Sequence, residues 1–238
     1  MTNITGDVGP QKIARIAGLL YLLYIAIFAF STFIQGKPVV PGNAAATAKN
    51  IVASEWLFRI GFTSEVLAAL LFLLTAWSLY VLLKPVGESL ALIFLLLNLC
   101  GVAVECVTTL IHFAALPLSS GAAYLSALRT DQLQALAMLS LNLSGSGNMI
   151  TALFYGAWLF PLGYLVIKSN FLPRLLGILL ILDGASLWIC FFQLCLFPGY
   201  EKMTYPLYPV MFIAECGLAL WLLIKGVKVQ KEPASSPA

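Results

Sequence analysis

The side chains able to do chemistry in this sequence are four acids and a single histidine that lie inside long apolar segments. Glu105 and His112 are seven residues apart, and Asn98 lies seven before Glu105, so the three share one face of a helix. An acid in hydrocarbon costs roughly 2.5 to 3.5 kcal/mol unless it is partnered, so such residues predict a functional site. The other acids of this kind are Glu65, Asp183 and Glu215.

Polar stripes also mark the other apolar segments. Asn148, Thr151 and Tyr155 follow one another at i, i+3 and i+7, and Tyr208 lies seven residues before Glu215. Each stripe should face the interior of a bundle, because unpaired polar groups in lipid are penalised. The residues predicted to bind a ligand there are Glu65, Glu105, His112, Asn148, Tyr155, Asp183 and Glu215.

The depth of these residues predicts a single pocket that opens toward the cell exterior. Counted from the outer ends of the segments at 1.5 Å per residue, most of them lie roughly 7 to 18 Å below the boundary, and Asp183 lies nearer mid-span. In such a pocket the carboxyl groups would supply charge or exchange protons. His112 would act as a titratable gate near neutral pH.

Each of these residues also has a structural interpretation. His112 is near enough to the interface to be a wetted donor, and Glu65 and Glu215 are alternatively protonated carboxyls bonded to a neighbouring helix. Asp183 alternatively pairs with hydroxyls of the fourth span. Packing and weak interhelical hydrogen bonds are the roles predicted for Asn98, Asn142, Ser186 and the cysteines Cys100, Cys106, Cys190, Cys195 and Cys216.

Composition predicts the elements that position these groups. The chain has 238 residues, of which 61% are hydrophobic and 10% are charged, against roughly a quarter charged in soluble domains. We therefore predict an all-α polytopic membrane bundle of six transmembrane helices, which leaves no room for a separate soluble domain. The net charge of +3 is spread over the span ends and forms no patch, so no nucleic-acid partner is predicted.

The chain divides into a polar N-terminal tail (1–12), a transmembrane domain (13–227) and a disordered cytoplasmic tail (228–238). A short helix capped by Asn43 is predicted within the first connection. An interfacial helix is predicted over 122–142, ended by the Ser-Gly-Ser-Gly run at 144–147, and Pro161 should kink the helix that follows. The predicted spans are residues 13–34, 56–83, 89–116, 148–167, 174–197 and 207–224.

Lysine and arginine placement predicts the orientation. By the positive-inside rule, the side of the protein that carries more lysine and arginine residues lies in the cytoplasm. Both termini are on that side, so both are predicted to be cytoplasmic. Arg59 is predicted to be an interfacial residue, with Glu55 or Glu65 as alternative counter-ions. The richer side holds Lys12, Arg15, Lys84, Lys168, Arg174, Lys225, Lys228 and Lys231, and the other holds Lys37, Lys49, Arg59, Arg129 and Lys202.

Several stretches together resemble the bacterial domain of unknown function 4386 family, and the resemblance covers nearly the whole chain. It implies a bacterial multi-pass protein of the cell (inner) membrane without an assigned activity, and it carries over no catalytic residue. Glu215, within AECGLALW, matches an acid of the family's last span. The stretches are IAGLLYLLYI (16–25), VPGNAAATAKNIVASEWLFRIGF (40–62), LYVLLKPV (79–86), HFAAL (112–116), LQALAML (133–139), GYLVIKSNFLPRLLGILLILDG (163–184) and AECGLALWLLIKGV (214–227).

The leading function predicted is the binding or passage of a small, cationic or hydrophobic molecule or ion through the polar pocket. One alternative is a membrane-embedded enzyme with Glu105 or His112 as general base on a lipid-borne substrate, and another is an accessory or structural subunit. The sequence lacks HExxH, GxSxG, P-loop and CxxC motifs, so neither a metal nor a cofactor is predicted. The predicted partners are the lipid bilayer and a small-molecule or lipid ligand.

Overall fold

The computed structural model describes residues 9–197 and 199–227. All regular structure in these ranges is helical, and six of its helices are long and apolar enough to cross a membrane, so the predicted all-α fold is confirmed. Most of the predicted N-terminal tail and the whole tail 228–238 lie outside the described residues. The α-helices are α1 (Pro10–Gly36), α2 (Ala44–Ala53), α3 (Glu55–Leu83), α4 (Glu88–Phe113), α5 (Ala115–Ser120), α6 (Thr130–Lys168), α7 (Arg174–Leu196) and α8 (Tyr208–Ile224).

The six membrane-length helices form a closed ring in which each packs against two neighbours, in the order α1, α3, α4, α6, α7, α8 and back to α1. Short links at 84–87 and 169–173 lie at the same end of the ring as Pro10 and Ile224, and we call this the termini end. The opposite end, which we call the long-loop end, carries α2, α5 and the longer connections. The ring encloses an interior to which all six helices contribute side chains.

Aromatic packing fills the ring interior toward the termini end. The rings of Tyr21 and Trp158 both pack against Phe72, with centroids 6.0 and 5.0 Å from it, and Phe94 adds a further contact to Trp158 at 6.2 Å. All four side chains are buried. Such edge and tilted aromatic contacts add roughly 0.5 to 1.5 kcal/mol each beyond the area they bury.

Two glycine pairs bring α6 and α7 into backbone contact. A Cβ placed on Gly163 would lie 2.6 Å from the carbonyl oxygen of Gly177, and one on Gly177 would lie 2.5 Å from that of Gly163. Gly156 and Gly184 repeat the arrangement two turns away, at 3.0 and 2.7 Å. Each pair is spaced seven residues from the next on its helix, so the antiparallel helices approach along one stripe of small residues, as membrane helices commonly do.

The predicted interfacial helix and the break at 144–147 are wrong, because α6 runs without interruption from Thr130 to Lys168. Its 39 residues would extend about 58 Å, well beyond a hydrocarbon core about 30 Å thick. The hydroxyls of Ser144 and Ser146 donate to carbonyls of the same helix, at 2.8 and 3.2 Å. A Cβ on Gly147 would lie 1.9 Å from the side chain of Thr108, so Gly147 serves close packing against α4 rather than a turn.

The connection from α1 to α3 folds over the long-loop end. The side chain of Asn43 accepts a hydrogen bond from the backbone N–H of Ala46 at 2.9 Å, which confirms the predicted cap of α2. Asn50 donates to the carbonyl of Pro38 at 3.2 Å and so holds the connection against the helix. An apolar cluster then packs α2 on its neighbours through Ile51, Phe58, Ala115, Leu116, Ala137 and Leu141.

Candidate functional site

A cavity of about 750 Å³ occupies the ring interior in the half nearer the long-loop end. Its volume falls within the range of roughly 300 to 1,000 Å³ typical of small-molecule sites. Every helix of the ring contributes to its wall, and the connection after α1 contributes Val39 and Pro41. The seven residues singled out from the sequence all line it: Glu65, Glu105, His112, Asn148, Tyr155, Asp183 and Glu215.

Helical spacing accounts for this convergence. Glu105 and His112 project from one face of α4, and Asn148 and Tyr155 project from one face of α6, with Thr151 between them on the wall. Asn98, the third member of the α4 stripe, lies deeper and is fully buried without lining the cavity. Neither polar atom of its amide has a hydrogen-bond partner among the described residues, so the predicted interhelical bond of Asn98 is not seen there.

Glu65 is held by a glutamine that the sequence did not single out. The side-chain nitrogen of Gln35 on α1 donates both to the carboxyl of Glu65 and to the hydroxyl of Ser31, the latter at 2.7 Å. Ser31 in turn donates to the carbonyl of Gly61 at 2.9 Å, so α1 and α3 are joined through buried polar groups. The predicted first span ends at residue 34, just before Gln35, whereas α1 continues through Gln35 to Gly36.

Glu105 receives a short hydrogen bond from the hydroxyl of Tyr155 across the α4–α6 interface. The ring of Tyr155 stands edge-on to Phe72, with centroids 4.8 Å apart. It also lies against Gly101, where an added Cβ would be 2.4 Å from a ring carbon. The second carboxyl oxygen of Glu105 is buried and has no hydrogen-bond partner within the part of the chain that the structure describes.

His112 presents a ring nitrogen without a partner. Its Nδ1 lies 3.2 Å from the hydroxyl oxygen of Ser144, and that hydroxyl already donates its only proton to the carbonyl of Leu141 at 2.8 Å. We assign a proton to Nδ1 on this basis, so that it donates to Ser144 and the lone pair of neutral His112 is on Nε2. Nε2 is buried and unpartnered in the described ranges, and the ring stacks on Phe58 with centroids 5.2 Å apart.

Asp183 and Glu215 form the part of the wall that faces α1. Asp183 is fully buried, and neither of its carboxyl oxygens has a hydrogen-bond partner among residues 9–197 and 199–227. The alternative pairing of Asp183 with hydroxyls of the fourth span is therefore not found. Glu215 is only partly buried, lies next to the hydroxyl of Tyr21, and is close enough to Asp183 for the two carboxyl groups to interact electrostatically.

The wall carries four carboxyl groups and, among the described lining residues, neither lysine nor arginine. Arg59 is predicted, as one alternative, to be the counter-ion of Glu65. In the structure it pairs with Glu55 at the surface, and the nearest nitrogen and oxygen atoms of the two side chains are 2.7 Å apart. Among the described residues, no group of three or more His, Cys, Asp or Glu side chains is placed to hold a metal ion. The cavity is therefore an acidic site suited to an organic cation or to hydrogen-bond donors.

The cysteines contribute nothing to the central cavity. All five are free thiols, and Cys100, Cys106 and Cys195 are exposed on the outside of the ring, so their prediction as core residues is wrong. Their segments are apolar all round, so hydropathy alone did not separate the lipid-facing side from the core. A thiol is apolar enough to face lipid without a polar partner.

The bond between Tyr155 and Glu105 supports a direct prediction. Tyr155→Phe keeps the edge-on packing against Phe72 but removes the hydroxyl, so neither carboxyl oxygen of Glu105 then has a donor among the described residues. We expect the free energy of unfolding to fall by about 1 to 3 kcal/mol, measured by denaturant titration in mixed micelles. Tyr164→Phe, at a half-exposed position on the same helix, is the control and should change it by less than about 0.5 kcal/mol. An equal effect of both variants would contradict the assigned bond.

Six membrane-length helices around an acid-lined cavity define an all-helical membrane protein with an internal polar site. The family model described as "Domain of unknown function (DUF4386)" matches residues 16–226, and the chain belongs to this family, as the sequence resemblance predicted.

One similar protein, named "Uncharacterized protein", comes from Archaeoglobus fulgidus and is 39% identical over 85 residues. The match covers 36% of this chain and 49% of that protein, so this chain spans about half the length of that relative. No solved structure matches the chain. Neither the family's description nor the relative's name states a chemical activity.

Proposed function

We propose that this protein binds a small organic cation in the acid-lined cavity. The observation that carries the proposal is the imbalance on the wall, where four carboxyl groups face a space that no described lysine or arginine enters. Three carboxyl oxygens, one on Glu105 and two on Asp183, are buried without a described donor. Leaving such a group unsatisfied costs about 1 to 3 kcal/mol, so a ligand that supplies donors recovers that energy on binding.

The rest of the wall favours an organic ligand over a bare ion. Tyr24, Phe28, Leu187 and Met211 line the cavity together with the carboxyls, so a bound molecule meets apolar surface on one side. An ammonium group offers three donors in a compact head, and the aromatic faces of Tyr24 and Phe28 add favourable contact with a cation. A primary alkylammonium is a small molecule that has both a cationic head with three donors and an apolar chain.

Binding is favoured over free passage. The aromatic layer of Tyr21, Phe72, Phe94 and Trp158 lies between the cavity and the termini end, and all four side chains are buried. Passage would require this layer to separate, whereas binding leaves it in place. We further propose that the protein lies in the cell membrane with both termini in the cytoplasm, so that the long-loop end and its cavity are directed outward.

The test is calorimetric titration of propylammonium into the protein in zwitterionic nanodiscs. The double variant Glu105→Gln, Glu215→Gln keeps shape and hydrogen bonding but removes two charges, and we expect its affinity to fall at least tenfold, because a hydrogen bond to a charged group is worth about 1.5 to 3 kcal/mol. Glu55→Gln, at the exposed ion pair with Arg59, is the matched control and should bind as the parent does.

Two other results would overturn the proposal. If propylammonium does not bind, or binds equally to the parent and the double variant, the carboxyls are not the site of a cation. The first outcome is the one that an accessory subunit predicts, since its acids would serve packing alone.

A second candidate, a membrane-embedded enzyme, is favoured by one observation. Nε2 of His112 carries a lone pair on the cavity wall, which is the form needed for a general base. The adjacent hydroxyl of Ser144 donates to Leu141 and accepts from His112, so it is not activated as a nucleophile. Turnover of a lipid added to the nanodiscs, lost in His112→Ala and kept in Glu215→Gln, would favour the enzyme over the binding protein.

A further inference from the structure

A second cavity of about 530 Å³ lies between α1 and α8, on the side of the ring that faces the bilayer. It adjoins the central cavity, since Tyr24, Phe28, Thr32, Met211 and Glu215 line both. We call this second cavity the lateral fissure. The residues that line it alone are Ile25, Ala29, Phe33, Tyr208, Phe212 and Cys216.

Among the described residues, the closest backbone approach of the two helices lies at the termini end. A Cβ on Gly18 would lie 2.5 Å from the backbone nitrogen of Leu223, which shows how closely α1 and α8 approach there. Next to this contact, the side chain of Gln11 donates to the carbonyl of Lys225 at 3.1 Å and accepts from the N–H of Val227 at 2.8 Å. The helices therefore diverge from a fixed contact at the termini end toward the long-loop end.

The polarity of the fissure changes from its mouth to its inner end. Phe33 and Phe212 at the mouth are 66% and 65% exposed, and each lies within about one turn of the long-loop end of a helix apolar enough to cross a membrane. Glu215 is the acid that the fissure shares with the central cavity, where Asp183 stands beside it. An apolar mouth that leads to two carboxyl groups is complementary to a cationic amphiphile.

We propose that the lateral fissure admits a single-chain amphiphile with an ammonium head directly from the bilayer. The head reaches Glu215 and Asp183, and the alkyl tail stays between α1 and α8, where Ala29 and Phe212 flank it. This inference rests on the proposed function and adds to it the class of ligand and its route. A single alkyl chain matches the one groove between α1 and α8 better than the two chains of a typical lipid do.

The first measurement compares propylammonium, hexylammonium and dodecylammonium in nanodiscs, with affinity expressed against free aqueous ligand and with protein-free nanodiscs as the blank. If the tail is accommodated in the fissure, affinity should rise about fourfold for each added methylene, the value that corresponds to about 0.8 kcal/mol per buried CH₂. A plateau beyond propylammonium means that the tail has no place in the protein, and it would overturn the lateral route while leaving the cation site intact.

The second measurement blocks the fissure. Ala29→Trp fills it from α1 without touching the central cavity, and Cys216→Phe narrows it from α8. We expect both variants to weaken dodecylammonium at least tenfold and to change propylammonium less than twofold, which also verifies that they are folded. Ala103→Trp, on the exposed face of α4, is the control and should change neither ligand.

The remaining outcomes separate the two proposals. Unchanged dodecylammonium affinity in both blocked variants overturns the lateral route alone. Loss of both ligands in the blocked variants, with Ala103→Trp intact, also overturns it, because head and tail would not occupy distinct spaces. Failure of every alkylammonium to bind the parent protein overturns the cation site and the route together.

Discussion

Asp183→Leu is expected to make the protein more stable and to abolish cation binding. Asp183 is fully buried and neither of its carboxyl oxygens has a donor among the described residues, so the folded state bears the cost of desolvating it. A leucine at this position removes that cost, has the same branched shape, and has the cavity beside it as room for methyl groups that are larger than the oxygens they replace. We expect the free energy of unfolding to rise by about 1 to 3 kcal/mol in a denaturant titration in mixed micelles.

The matched control is the same substitution at another acid of the same cavity. Glu65 receives hydrogen bonds from Gln35, so Glu65→Leu discards bonds that the folded state has made. We expect that variant to lose about 1 to 3 kcal/mol, the opposite sign to Asp183→Leu. A loss of stability in both variants would mean that Asp183 is satisfied in the folded protein and that its carboxyl is not reserved for a ligand.

The opposite signs have a functional meaning. Residues that bind ligands commonly reduce stability, because they are shaped for a partner rather than for the fold. Propylammonium binding to the Asp183→Leu variant should therefore be lost although the protein is more resistant to denaturant. Asp183→Asn separates charge from polarity, since it keeps polar atoms at the site and should lose affinity without the gain in stability.

The second large effect is expected at the α6–α7 contact. Gly163→Ala places a methyl group 2.6 Å from the carbonyl oxygen of Gly177, and the neighbour is backbone that cannot rotate away. The helices must separate along the whole stripe, and overpacking of this kind costs about 1 to 3 kcal/mol. Gly177→Ala meets Gly163 at 2.5 Å and should have a similar cost. The measurement is again the free energy of unfolding in mixed micelles.

Gly145→Ala is the control for these variants. Gly145 lies in the same helix, is exposed, and has no heavy atom within 4 Å of the position an added Cβ would occupy. Alanine is favoured over glycine within a helix by about 0.5 to 1 kcal/mol, so this variant should be slightly more stable than the parent. Equal stability of the Gly163→Ala and Gly145→Ala variants would contradict the close approach of α6 and α7.

The cavity was predictable because its chemistry follows helical periodicity. Charged and strongly polar residues in an apolar segment must face the protein interior, and spacing of seven places Glu105 with His112, and Asn148 with Tyr155, on single faces. Once each helix turns its polar face inward, a ring of six brings those faces together. The same reasoning gave the number of spans, since the hydrophobic segments are long and few charges interrupt them.

The partners of these residues were not predictable from periodicity. Gln35 lies at the end of α1 beside glycine and lysine, where composition resembles a loop, and only its contact with Glu65 shows its role. The run at 144–147 predicts the end of a helix, because glycine and serine disfavour helices in water. In a membrane the same small residues allow close helix packing, and Gly147 against Thr108 is such a contact.

The continuity of α6 has a mechanical consequence. Its N-terminal third packs against α2 and α5 through Ala137 and Leu141, and about two and four turns beyond Leu141 the side chains of Asn148 and Tyr155 line the cavity wall. Because no loop intervenes, a tilt imposed on the exposed end moves the wall residues with it. A partner that docks on α2 and α5 at the long-loop end would therefore change the positions of Asn148 and Tyr155, and with them the shape of the ligand site.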